Sequence, residues 1–141
     1  MIVTGVEDVI QNINKALENS GKAGQKALTD VMFDAAGKMI DRTPLDMGDL
    51  RKSCKVTLNN HDIGQGTVSG IVKTGEAGYS ALSNNIEGEI SFNTPYAVKM
   101  HEDLSYNPQT PGTGPKYAES VINENGSKYI EYINKKVGDT L

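Results

Sequence analysis

A chain of 141 residues, 37% hydrophobic and 23% charged, has the size of one domain with a single core. Its formal net charge of −4 argues against gripping nucleic acid through phosphates, which needs clustered Lys and Arg, and against attraction to anionic membranes. No apolar run approaches the roughly 18–20 residues that span a bilayer, and no basic flank followed by an apolar block opens the chain, so a soluble protein made in the cytoplasm is expected.

Residues 6–18 place Val6, Val9, Ile10, Ile13 and Leu17 at spacings of three and four, one apolar stripe on a helix. Asn19, Ser20 and Gly21 end it. A second helix is predicted from Lys22 to Arg42, slim with alanines at 23, 27, 35 and 36. Thr43-Pro44 stops it, because proline disfavours the α conformation in the residue before it. Residues 43–54 read as a polar turn with Gly48 free to take positive φ, leading into a strand that starts at Lys55.

Asn59 to Gly66 is rich in turn-forming residues and reads as a hairpin tip, with a second strand from Thr67 to Lys73. Residues 74–85 carry little pattern. The cleanest alternation spans 86–93, with Ile86, Gly88, Ile90 and Phe92 on one face and Glu87, Glu89, Ser91 and Asn93 on the other. One buried and one wet face is the pattern of an antiparallel sheet covered on one side. Pro108, Pro111, Pro115, Gly112 and Gly114 make 105–115 a loop. The last helix is predicted over 116–137, with Asn125-Gly126-Ser127 as a break or kink in its middle. These elements predict a single α+β domain over 1–141. An antiparallel sheet with a long hairpin would carry two N-terminal helices and a C-terminal helix on one face.

Chemistry-bearing groups are sparse. His101-Glu102-Asp103 is the densest cluster, but adjacent side chains on a helix or strand diverge, and His61, the other histidine, sits in the predicted hairpin tip. Hydrogen bonding at a fold junction or subunit contact is the simpler role for His101 and Glu102. The run from Pro111 to Lys116 is glycine-rich before a helix, yet it lacks the full phosphate-loop pattern, and Tyr117 stands where a Ser or Thr would coordinate magnesium. Cys54, the lone cysteine, cannot form an internal disulfide and reads as a small buried or half-buried residue. No catalytic or metal-binding set is expected, and no cofactor.

Two separated motifs carry a resemblance. The first is Pro44-x-Asp46-x-Gly48-x-Leu50-Arg51-x-Ser53, after a long Ala-rich helix. The second is Thr94-Pro95-Tyr96-Ala97 followed by His101-Glu102, with Gly114-Pro115-Lys116-Tyr117 opening the last helix. Their order and spacing resemble the minor capsid, neck and tail-completion proteins of tailed bacteriophages, the HK97 gp10-like group. Met47 stands where that group usually has Thr, and the Glu-x-Gly-Thr run that often follows Tyr-Ala is not intact.

The resemblance implies a non-enzymatic structural protein of the virion, assembled in the bacterial host cytoplasm. It implies a connector or completion ring at the head–tail junction, six-fold or twelve-fold. The ring's neighbours would be head-closure or portal proteins and the tail tube or terminator. DNA would pass through the lumen without specific binding, past an acidic wall to which Glu87 and Glu89 are candidates. Within the motifs, Pro44 would stop the helix, Gly48 permit the turn, Leu50 anchor it, and Tyr96 and Ala97 pack under the sheet. A tail terminator capping the tube is the alternative within the structural class. A small non-viral module that docks a partner strand on a sheet edge is the alternative outside it.

Overall fold

Helix α2, Gly21–Arg42, is the element on which the others pack. In the computed structural model the described residues are 7–18, 20–43, 48–76, 86–94, 101–102 and 116–138. Ala27, Leu28, Val31, Met32, Ala35, Ala36, Met39 and Ile40 of α2 are all buried. That is too broad for one stripe, because α2 is covered by the sheet and also by α4, Glu119–Gly138. Its small side chains allow both approaches. Thr43 ends it in extended backbone (φ −74°, ψ 131°), its N–H donating to Met39 and Ile40 carbonyls and its hydroxyl to Met39. Helix α1, Glu7–Leu17, packs mainly against α4.

A short helix α3, Gly48–Lys52, occupies part of the span expected to be a turn. It feeds β1, Cys54–Leu58, whose Cys54, Val56 and Leu58 are buried in alternation. The hairpin tip is shorter than its composition suggests. Only Asn59 and Asn60 turn, at φ 52° and 68°, the left-handed pair of a two-residue connection. His61–Gly66 is strand β2 instead. Its glycines serve close approach, not turning: a Cβ at Gly64 would sit 3.1 Å from the Phe33 ring, and one at Gly66 only 2.2 Å from the Arg51 carbonyl. The expected second strand is likewise displaced. Thr67 to Gly70 form a turn closed by the Thr67 side chain, and β3 is confined to Ile71–Lys73.

Strand β4, Gly88–Phe92, pairs with β1, giving an antiparallel sheet in the order β3-β2-β1-β4. Val56 faces Gly64 and Thr57 faces Asp62, so Ile63 is an extra residue in a bulge, and it is buried. The α+β architecture is the one expected, with N-terminal helices and a C-terminal helix beside an antiparallel sheet.

Helix α4 runs unbroken through Asn125-Gly126-Ser127, against the expected kink. Asn125 donates to the Val121 carbonyl at 2.9 Å and accepts from Lys38 at 3.2 Å, so its polar side chain is satisfied inside the helix. Gly126 lies where α1 crosses, with space for a Cβ taken by Val9 at 2.7 Å.

Candidate functional site

The first motif folds around Arg51. Helix α3 buries Leu50 completely and turns the Arg51 side chain, 7% exposed, under the end of α2. The guanidinium donates to the Thr43 carbonyl at 2.8 Å, the Val68 carbonyl at 2.7 Å and the Asp41 carbonyl at 3.4 Å. One side chain thereby ties the α2 exit to the β2–β3 turn. A rigid, always-charged fork with five donors suits three diverging carbonyls, and a lysine ammonium would not. Ser53 donates to the Leu50 carbonyl at 2.7 Å and accepts the Asn93 N–H at 3.1 Å, linking α3 to the end of β4. Pro44 and Asp46 lie outside the described residues, as do Tyr96 and Ala97. Gly48 opens α3, where a Cβ would meet Val68 at an ordinary 3.7 Å, so close packing does not demand a glycine there.

The second motif supplies a junction between distant parts of the chain. His101 is 1% exposed and lies edge-on to Tyr117, which in turn lies edge-on to Phe92 of β4, with ring centroids 4.9 and 5.1 Å apart. The His101 Nε2 accepts the backbone N–H of Glu119 at 3.1 Å. Its Nδ1 therefore carries the proton and donates to Glu102 Oε1 at 2.9 Å. The His101 carbonyl accepts the Lys116 N–H at 2.6 Å. Lys116, at φ 58°, reaches Glu102 with its ammonium and also Glu119 at 3.2 Å. Residues 101–102 and 116–119 thus form a latch across the two ends of segment 103–115.

His101, Glu102 and Glu119 offer ligand atoms within 4.8 Å of one another, so the expected divergence of His101 and Glu102 does not occur. The helical turn at 101–102 lets Glu102 fold back onto the imidazole. As a metal set it is spent. Both imidazole nitrogens are engaged, and the two carboxylates are bridged by the Lys116 ammonium that an ion would have to displace. Hydrogen bonds from Lys116 and then His101 hold the Glu102 carboxyl below its ordinary range, and the same contact with Glu102, aided by Glu119, raises the Lys116 ammonium.

Cys54 is fully buried, and burial pushes its thiol up to about 12, far from a nucleophile's range. Glu87 and Glu89 are exposed, and Glu89, paired with Thr57, lies on the sheet face opposite to that of Ile90. Sequence reasoning singled out Arg51 without its carbonyl partners, and it missed Glu119 and the ionic role of Lys116 on the far side of the latch. A polar seam between α2 and α4 was missed too. In it Tyr129 and Tyr132 donate at 2.6 Å to Asp34 and Asp30, and Arg42 pairs with Ser120 and Glu124. Among the described residues no helix is long and apolar enough to cross a membrane.

No curated protein and no solved structure matches this chain. A family model does: the HK97-gp10-like model, described as "Bacteriophage HK97-gp10, putative tail-component", matches residues 7–98. That span takes in α1 to β4, the Arg51 clamp and the Tyr96-Ala97 pair, and it stops just short of the latch. The chain belongs to the HK97-gp10-like family of bacteriophage tail components.

Proposed function

We propose that this protein forms a connector or completion ring at the phage head–tail junction, joining the head-closure or portal complex to the tail. The observation that carries the reading is family membership over 7–98. The site geometry supports it, because the polar groups gathered by the two motifs are consumed in holding segments together. The role proposed is a non-enzymatic one, which membership of a phage structural family supports. Copies of the chain would bind one another in a six-fold or twelve-fold ring, contact head-closure and tail proteins, and let DNA slide through. Glu87 and Glu89, exposed side by side on one face, would line that passage and repel the phosphates.

Removing the protein from an otherwise complete phage tests this. Filled heads and finished tails that fail to join, seen by electron microscopy, are the expected result. Tails of uncontrolled length would point to terminator function, and infectious joined particles would end the proposal.

A further inference from the structure

We infer that α1 is a hinged lid: it turns about the corner at residues 18–21 and closes its apolar stripe onto β4, hiding a groove that its present position leaves open. The inference concerns the single chain and stands whether or not copies form the ring proposed above.

Between α1 and β4 runs a groove of about 710 Å³, with Ile10 and Ile13 on the α1 wall, Ile86 and Ile90 on the other, and Leu28 and Met32 of α2 in its floor. The strand wall is fixed. A Cβ at Gly88 would lie 2.4 Å from the Met32 sulfur, so β4 rests directly on α2, and Ile90, paired with the buried Val56, faces the helices. The α1 wall has no such support. Helix α1 packs mainly against α4 and meets α2 at few places. Its seat on α4 is Gly126, which offers Val9 backbone and no side chain to interlock with. Ile10 is left 39% exposed beside the groove.

The corner has the parts of a pivot. Ser20 serves α1: its N–H and its hydroxyl both donate to the Leu17 carbonyl, at 3.1 and 2.6 Å, and it gives α2 no side-chain cap. The turn out of α1 is thus complete before α2 begins, and the change of direction falls on Gly21, at φ 59° the one glycine with positive φ among the described residues. Glycine passes between positive and negative φ at little cost, which a residue with a Cβ does not. Gly24 gives clearance beneath the corner, since a Cβ there would be 1.8 Å from the Ser20 hydroxyl oxygen. Leu17, 5% exposed, anchors the pivot end in the core, so the motion is largest at the far end of α1, where Val9 and Ile10 lie. Closing trades the shallow Val9–Gly126 contact for burial of Ile10 and Ile13 against Ile86 and Ile90, which removes apolar surface from water.

The test traps the closed position in the full chain. Ile10→Cys with Ile90→Cys, and Ile10→Cys with Ile86→Cys, place thiols on facing walls. Asn12→Cys with Ile90→Cys is the control, because Asn12 is exposed and does not line the groove. Each variant is oxidised with glutathione disulfide and read by peptide mass, with the thiol of the fully buried Cys54 followed as a reporter of global unfolding. A disulfide needs Cα atoms within roughly 7 Å, so an intrachain bond in an Ile10 pair, formed at least about tenfold faster than in the control and with Cys54 unreactive, is the expected result. Gly21→Ala, which disfavours the φ of the present corner, should speed it further. Equal rates in the Ile10 pairs and the control would mean that α1 frays and does not turn as a lid, which overturns the inference. Disulfides between chains would show a second copy covering the groove and overturn it too. Spin labels at the exposed Asn12 and His61 positions read the same motion with the groove residues untouched. Two distances between them are expected, and a single distance in a folded chain whose groove thiols stay free would overturn the lid.

Discussion

The imidazole of His101 accepts the backbone N–H of Glu119 at 3.1 Å, so the residue that leads into segment 103–115 also caps the first turn of the helix beyond it. The ring is 1% exposed and packs edge-on against Tyr117, so losing it removes packing and leaves a buried donor without a partner. His101→Ala is expected to cost about 2–4 kcal/mol in urea unfolding. A change within about 0.5 kcal/mol would show that the imidazole is not a strut.

The outer half of the latch is ionic and exposed, and it governs pH dependence. Glu102 titrates below its ordinary value because of Lys116 and His101, so its contribution is present above the unfolded carboxylate range and is lost as pH falls through the lowered folded value. Lys116 titrates above its ordinary value, so its share is present below about 10.5 and is lost as pH rises through the folded value. The latch is thus held between these limits. Hydrogen exchange at the Lys116 and Glu119 amides should stay slow across neutral pH and lose protection at the acid end once intrinsic rates are corrected. Glu102→Ala should remove that acid-side dependence and weaken assembly more than monomer folding. Equal losses of both would contradict a role at the junction.

Arg51 is 7% exposed and donates to carbonyls on two segments, at Thr43 and Asp41 after and within α2 and at Val68 beside β3. Lysine keeps the charge but cannot span these acceptors. Arg51→Lys is expected to lower stability by about 2–4 kcal/mol, measured by chemical denaturation. Loss of the tie should also increase exchange at the Gly70 amide, which the Thr67 side chain holds in the adjoining turn.

Gly126 marks the crossing of α1 and α4. On an open helix face Gly→Ala would stabilise by up to about 1 kcal/mol. Here the new methyl would lie 2.7 Å from Val9, and Gly126→Ala is expected to destabilise by about 1–3 kcal/mol and expose α1 to limited proteolysis. Adding Val9→Ala should restore most of the loss. Stabilisation by Gly126→Ala alone would mean that the helices do not cross as described.

The three long helices were legible because apolar spacing reports a covered face directly, as in Ile13 and Leu17 of α1 or Val121 and Tyr129 of α4, whereas the five-residue α3 is too short to show a period. Glycine and asparagine misled, because each has two uses that a local reading does not separate. Gly64 and Gly66 make room for Phe33 and for the Arg51 backbone, and Asn125 satisfies itself within α4. The motif positions Arg51, His101 and Glu102 stood out, but their partners at Val68, Lys116 and Glu119 depend on where the chain returns, which no local pattern encodes.

The most direct test of the proposed ring is the mass of the protein by light scattering, alone and after mixing with gradient-fractionated heads and tails. The account predicts cosedimentation with particles at one fixed ring stoichiometry, lost on Glu102→Ala. A chain that remains monomeric and joins neither heads nor tails at any concentration would contradict it.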